Sequence, residues 1–387
     1  MGFSGRERGT VRYDFILIAV TLLLTLVGLV ILYSTSYLFA LNQPRRFTSG
    51  WAPLTGNLAA CILMIAIFPI LALIRIEWLK KEWVVILLVL FTVILNILPL
   101  LKPLRREGYA MRWIIIKEGI GFQPSELIKI VLPLYLAYIL DKNYDKLDSM
   151  MYGPLPPVVV TAIFCTMVLI LQSNFSDAAL IALTSMIICF IAGIRLRWFA
   201  LSLAATLPIV YKLIFGNKDG RWYQRISSFF SRGESPPDLR TQVDFSLEAI
   251  QSGGFWGKGI GQGTVKIRVP EVHGDFVFAS FVEETGFLGV LFYLVLIGTF
   301  AAIGYLVAWR SKDRFIQLFA FGLVTPVVVQ TLLNIAVVAC IIPTTGVPLP
   351  FVSSGGTSLL VTLASAALLV NMARHHIKSD MGGGYAR

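Results

Sequence analysis

The chain has 387 residues, 56% of them hydrophobic and only 14% charged, with a mean hydropathy of +0.76 and a formal net charge of +11. Soluble proteins of this length are far less apolar, so the composition places the chain in a membrane. It excludes a nucleic-acid partner in spite of the positive charge, since no polar stretch exceeds about 60 residues.

Apolar runs of the length that crosses a hydrocarbon core, about 17 to 25 residues, recur along the whole chain. Ten are predicted: Phe15–Ser36, Pro53–Ile74, Trp83–Leu101, Pro124–Leu140, Pro156–Leu171, Ala178–Ile194, Trp198–Phe215, Phe276–Trp309, Phe315–Ile342 and Val352–Met372. The first is read as an uncleaved helix, because no small-residue cleavage site follows it. The eighth is too long for a straight crossing and carries Glu283 and Glu284, so part of it is expected in an exposed or re-entrant segment. The fold class is therefore all-α: a single polytopic domain over 1–387, with a large extracytoplasmic loop, 216–275, between spans seven and eight.

Lys and Arg in the short loops set the orientation. Placing the N-terminus inside puts 16 of these cations on the inner side against 7 in the short outer loops, so both termini are expected in the cytoplasm. The outer face is basic nonetheless. Arg112 and Lys117 belong to a cluster before the fourth run, and Lys266 is one of 8 cations in the long loop, which also holds 7 acids. Such a face either carries solvated mixed charge or concentrates a phosphate or pyrophosphate beside a low-dielectric wall. The four cysteines, Cys61, Cys165, Cys189 and Cys340, all lie in apolar runs, with neither a disulfide framework nor a zinc pattern.

Within the loop, "FSRGESPPDLRTQ" has the composition of exposed irregular chain. "AIQSGGFWGKGIGQGT" has six glycines in 16 residues and suits backbone that approaches a ligand or another segment closely. "PEVHGDFVF" then puts His273 and Asp275 where the chain enters lipid. An Asp just before a helix is commonly its N-cap; charged groups at membrane depth otherwise line polar cavities. Glu126 and Lys129 stand at i,i+3 on one helix face, as an ion pair or as site residues. Asp177 reads as a cap, and Gln330 with Asn334 as interhelical packing. The stretch "IPTTGVPLPFVSSGGTSLL" breaks its helix with three prolines and three glycines, which membrane depth tolerates only around a cavity or inside protein.

"PTTGVPLPFVSSGGTSLL", "RWI…FQPSELIK" and "SGGFWGKGIGQGTVK…PEVHGDFVFASFVEETGFLG" resemble, in order, the motif blocks of the FtsW/RodA/SpoVE family, the SEDS proteins. The resemblance runs from the first span to the tenth. It implies a ten-span peptidoglycan glycosyltransferase of the bacterial inner membrane that polymerises lipid II. It also implies a class B penicillin-binding protein as transpeptidase partner, among the membrane proteins of the divisome or elongasome. Asp275 matches the family's catalytic Asp. It either takes the proton from the acceptor sugar hydroxyl or holds a divalent cation, magnesium or manganese; no other cofactor is implied. Arg112, Lys117 and Lys129 are candidates for holding the pyrophosphate, with Lys117 resting on charge alone. Glu126, His273, Lys266, Ser353, Ser354, Gly355 and Gly356 complete the candidate substrate-binding set.

Three blocks depart from the family pattern. Gly274 replaces a Thr, Ser354 replaces a Tyr, and Gln172–Asp177 replaces [EQ]-P-D-x-G-[TS]. "QVDFSLEAIQSGGFWGKGIGQGTVK" is more similar to the division-linked FtsW branch than to the elongation-linked RodA branch. A lipid II flippase and a non-catalytic scaffold for a transpeptidase are the rival readings.

Overall fold

A computed structural model describes residues 12–42, 52–100, 113–117, 120–216, 221–230, 237–264 and 274–382. The α-helices longer than one turn among the described residues are, in chain order, α1 (Tyr13–Asn42), α2 (Ala52–Leu73), α3 (Glu82–Ile97), α4 (Ile128–Lys142), α5 (Leu155–Thr166), α6 (Phe175–Ile191), α7 (Leu196–Phe215), α8 (Arg221–Phe230), α9 (Pro237–Gly253), α10 (Val277–Arg310), α11 (Arg314–Val338) and α12 (Gly356–Gly382). Each of the ten apolar runs coincides with a helix. Among the described residues, six helices could cross a membrane by length and composition: Tyr13–Tyr37, Leu54–Leu73, Leu196–Phe215, Val277–Arg310, Arg314–Val338 and Gly356–His375. The architecture is all-α as expected, with one local addition: β1 (Ile114–Lys117) and β2 (Ile120–Phe122) pair antiparallel just before the turn that starts α4. Irregular chain would leave these backbone groups unpaired, whereas a ribbon pairs them locally.

The bundle is built on α12 against α2, α11 against α10 and α4, and α1 against α10 and α12. Large apolar side chains such as Leu22, Ile65, Leu87 and Phe190 face outward, as lipid requires. Hydroxyls inside the apolar helices satisfy themselves, Thr25, Thr92, Ser185 and Thr331 each donating to the carbonyl four residues earlier. All four cysteines are free thiols.

One end of the bundle is closed by ion pairs. Lys80 pairs with Asp313, Arg195 with Asp148, and Lys142 Nζ with Glu82 at 2.9 Å. Arg374 of α12 reaches the buried Asp14 of α1 at 3.3 Å, so the first and last helices meet there too. At this end lie the short loops that carry the larger share of cations.

The opposite end is organised around a kink in α10. Glu283 and Glu284 are both buried, which excludes the exposed alternative for this part of the run and leaves the re-entrant one. Gly286, at φ 64° and ψ −165°, separates a short buried helical segment from the long span. The glycine-rich loop wraps this kink backbone to backbone: Lys258 N–H donates to Glu283 O at 3.0 Å and Gly259 N–H to Glu284 O at 2.9 Å. Glu283 Oε1 in turn accepts from Lys258 Nζ at 2.8 Å and from the Thr264 N–H at 2.9 Å, and Ser34 Oγ donates to Glu284 at 2.7 Å. These donors offset the cost of taking two carboxylates out of water. The proline-rich part of the loop is also more ordered than its composition implied, since α9 begins at Pro237; residues 231–236 lie outside the described chain.

A Cβ on Gly286 would stand 2.3 Å from the Gly257 nitrogen, in a backbone region open only to glycine. Gly286→Ala is therefore expected to lower stability by at least the roughly 1–3 kcal/mol that such backbone strain carries. Thermal unfolding in matched detergent should show a clearly lower midpoint; an unchanged midpoint would mean that the loop does not pack on the kink.

Candidate active site

The non-helical stretch between α11 and α12, residues 339–355, occupies the same end of the bundle. Broken backbone inside a membrane protein must find donors and acceptors from its surroundings, and the side chains that supply them come from most of the bundle. Asn334 of α11 donates from Nδ2 to Val347 O at 2.8 Å. Asn57 of α2 brackets the far end, donating to Ser353 O at 3.1 Å and accepting from the Gly355 N–H at 3.1 Å. Tyr293 of α10 donates to Pro350 O at 3.2 Å. Ser176 of α6 donates to Thr345 O, and Arg225 of α8 donates from Nη1 to Thr344 O at 3.3 Å and Thr345 O at 3.4 Å.

The same groups fix Asp275. Asn334 Nδ2 also donates to Asp275 O at 2.9 Å, and Ser353 Oγ donates to Gly274 O at 2.8 Å while accepting from the Leu349 N–H at 2.7 Å. The carboxylate lies against Gly346, where a Cβ would stand 3.3 Å from Asp275 Oδ2 and 3.9 Å from Arg225 Nη1. At φ 80° Gly346 sits in the left-handed region that favours glycine, so the bend that receives the carboxylate depends on its having no side chain. Asp275 is not the N-cap of α10: that position is Phe276, with no side-chain cap bond, and Asp275 is left half-exposed one residue earlier.

Ser353 is buried with both hydrogen-bonding roles spent on backbone, whereas Ser354, Gly355 and Gly356 are half-buried. Gly356 backs onto Gly56 of α2, where a Cβ would meet the Gly56 carbonyl at 2.6 Å. Thr357 accepts from the Gln123 N–H at 3.1 Å and donates to Gly121 O at 3.1 Å. That bond ties the ribbon, and the turn Pro124–Leu127 after it, to the broken segment. Glu126 closes this turn with Lys129, Nζ to Oε1 at 2.7 Å, both side chains buried; Glu126 Oε2 has no hydrogen-bond partner among the described residues. Arg112, Lys266 and His273 lie outside the described residues, as does the side chain of Lys117, which ends β1.

The atypical block Gln172–Asp177 folds as a helix cap. Its helix loosens into a π turn, Met167–Leu171, after which Gln172 Nε2 donates to Asn96 Oδ1 of α3 at 2.8 Å. Asn174, not Asp177, is the N-cap of α6. Its Oδ1 accepts from the Asp177 N–H at 3.2 Å, and its Nδ2 donates back to Asp177 Oδ2 at 2.6 Å. Residues not anticipated as part of this site are Asn334, Asn57, Ser176 and Arg225. An isolated amide in an apolar run was the available signal for the first two; Ser176 lay in the atypical block Gln172–Asp177, and Arg225 was one cation among many.

A metal would need several oxygen ligands. Among the described residues no group of three or more His, Cys, Asp or Glu side chains could hold one, and the cation beside Asp275 is a guanidinium.

A helical membrane protein whose outward-facing apolar surface surrounds a carboxylate pinned in a broken-helix segment is the class that fold and site define. Residues 14–378 match the FtsW/RodA/SpoVE family model, described as cell cycle protein, and the chain belongs to this family. It is similar to the probable peptidoglycan glycosyltransferase FtsW of Geobacter sulfurreducens (strain DL-1 / KN400), 34% identical and covering 93% of this chain and 95% of the relative. The protein of the same name in Bacillus subtilis (strain 168) is 32% identical, covering 93% of this chain and 90% of the relative. Among solved structures, a chain reported under structural coordination of polymerization and crosslinking by a peptidoglycan synthase complex shares the fold. Its TM-score is 0.75 at 23% identity, covering 95% of this chain and 99% of that one. Rod shape determining protein RodA of Thermus thermophilus matches with a TM-score of 0.63 at 24% identity, covering 95% and 98%.

Asn334→Leu removes the donor shared by Asp275 O and Val347 O. Leaving buried carbonyls without partners costs about 1–3 kcal/mol each, so the thermal midpoint should fall, and hydrogen exchange should rise at 274–277 and at 345–349 together. A rise confined to one of the two stretches would contradict the shared anchor.

Proposed function

We propose that the chain is a peptidoglycan glycosyltransferase that polymerises glycan strands from lipid II, with Asp275 as its general base. The observation that carries this reading is a half-exposed carboxylate held by its own backbone, through Asn334 and Ser353, in a family of peptidoglycan glycosyltransferases. The acceptor is the 4-hydroxyl of N-acetylglucosamine, a poor nucleophile. As its oxygen bonds to C1 of the donor muramic acid at the end of the growing glycan, its proton passes to Asp275. The bond from C1 to the phosphate oxygen breaks, and polyprenyl diphosphate leaves. General-base assistance of this kind contributes about 10²–10⁴-fold. Fixed cations stabilise the departing diphosphate; we assign that task to Arg112, Lys117 and Lys129, with Glu126 holding Lys129 in place.

In this reading ten helices cross the bacterial inner membrane and the ion-paired end with both termini faces the cytoplasm. The Asp275 end then meets substrate outside. The asymmetry favours a polymerase over a flippase, which needs polar access from both faces. The similarity to proteins named FtsW supports a role in division, and the partner is a class B penicillin-binding protein.

Asp275→Asn keeps the size of the side chain and removes the base. The variant should insert and unfold like the parent yet give no glycan polymer from labelled lipid II; a normal yield would remove Asp275 from the mechanism.

The partner supplies a second test. The segment 216–275 is the one long stretch outside the apolar runs; its helix α8 reaches the site through Arg225, and α9 packs on α10. Lids of this kind gate catalysis. Polymerisation should therefore rise several-fold when a single-span transpeptidase binds, and the rise should vanish on deletion of "SRGESPPDLR". Equal rates with and without the partner, at matched lipid, would contradict the gating.

A further inference from the structure

Gln172–Asp177 departs from the family pattern [EQ]-P-D-x-G-[TS] at four positions that a single turn brings together. Ser173 stands where the pattern has Pro and takes φ 51°, a left-handed conformation closed to proline, whose ring fixes φ near about −65°. Positions 174 and 177 exchange their chemistry: the pattern has Asp and then Thr or Ser, whereas this chain has Asn and then Asp. The two side chains are buried and bonded to each other. Asn174 Oδ1 accepts from the Asp177 N–H at 3.2 Å, and Asn174 Nδ2 donates to Asp177 Oδ2 at 2.6 Å. In either order the first turn of α6 holds one carboxylate and one neutral partner. The helix dipole favours negative charge there. Two carboxylates in such contact would repel each other away from water, and none would leave the turn without its charge-assisted bond.

We propose that Asp177 supplies, from three residues further along, the carboxylate that the family pattern places at 174, and that it is a positioning residue for the Asp275 site. The role rests on the reading of Asp275 as the base. The cap bond uses the backbone N–H of residue 177, so the start of α6 does not depend on the side chain there. What the carboxylate adds is an acceptor for Asn174 Nδ2, which settles which end of that amide faces the helix.

The locked turn presents its two intervening residues to the site. Phe175 packs on Trp222 of α8 with ring centroids 5.1 Å apart, and Ser176 donates to Thr345 O, to which Arg225 Nη1 also donates at 3.4 Å. Ser176 stands where the pattern has Gly, which has no hydroxyl for this bond. Thr345 precedes Gly346, against which the Asp275 carboxylate lies. The turn therefore holds the wall of the bend that receives Asp275, and its four replacements act as one unit rather than as separate losses.

The test compares the full-length wild type with Asp177→Thr, Asn174→Asp and the double variant that exchanges the two. Each is measured for kcat and KM on labelled lipid II and for its thermal midpoint in matched detergent. Asp177→Thr turns a charge-assisted hydrogen bond into a neutral one, so kcat should fall about tenfold with KM nearly unchanged. Asn174→Asp alone sets two carboxylates in contact and should lower both kcat and the midpoint. In the double variant the carboxylate at 174 accepts from the 177 N–H and from the threonine hydroxyl, and most of the loss in kcat and in midpoint should be recovered. Asn174→Asp is thus harmful alone and restorative beside Asp177→Thr, a coupling that independent sites do not show. Asp177→Thr with wild-type kcat, or a double variant no more active than Asp177→Thr, would overturn the role. A raised KM at unchanged kcat would overturn it too, by making Asp177 a substrate ligand. The midpoints decide the exchange without any assay of activity: a double variant no more stable than Asn174→Asp would contradict it. An inactive wild type, or an Asp275→Asn variant that still polymerises, would instead bring down the reading of the base, and the positioning role with it.

Discussion

The structure depends on one constraint: the seventeen residues of non-helical backbone between α11 and α12, 339–355, lie inside a helical bundle, and their amides and carbonyls have to be satisfied there. Asn334, Asn57, Tyr293, Ser176, Ser353 and Arg225 meet that demand from five helices and from the stretch itself. Two of them, Asn334 and Ser353, also donate to the carbonyls of Asp275 and Gly274. The carboxylate is therefore placed by backbone, through the same bonds that make the broken helix tolerable. Catalytic placement and fold stability share one set of interactions.

The two ends of the bundle solve different problems. At one end ion pairs between successive loops hold the helix termini together and bring α1 to α12. At the other, Glu283 and Glu284 gather the glycine-rich loop around the kink at Gly286, and α9 packs on α10. The glycines serve close approach of backbone to backbone, which the composition of the loop had indicated without naming the partner. What they approach is the first segment of α10, which carries Asp275 at its start.

Much of this was legible in the sequence. The ten apolar runs, the helix break at "PTTGVPLPFVSSGG" and the i,i+3 spacing of Glu126 and Lys129 are local patterns, and the structure has a helix, a break and an ion pair at these places. The features that were not legible rest on long-range pairings or on a choice between near neighbours. Asn174 rather than Asp177 caps α6, Phe276 rather than Asp275 precedes α10, and both glutamates of the eighth run are buried because a distant loop supplies donors to Glu283 and Ser34 of α1 supplies one to Glu284. The β ribbon is short and adjoins chain outside the described residues. Arg225 could not be told from the other cations of its loop until α8 was seen against Phe175 and Thr345. For Arg112, Lys266 and His273 the sequence and the resemblance remain the whole basis of their assignment.

The central claim is that the broken segment and Asp275 form one mechanical unit. Native-state hydrogen exchange, followed residue by residue on the wild type and on Ser353→Ala, tests it most directly. Loss of the Ser353 hydroxyl should speed exchange around Leu349 and around 274–277 by the same factor, because both stretches open together. Faster exchange around Leu349 with 274–277 unchanged would show that Asp275 is held independently of the broken segment, and would contradict the account.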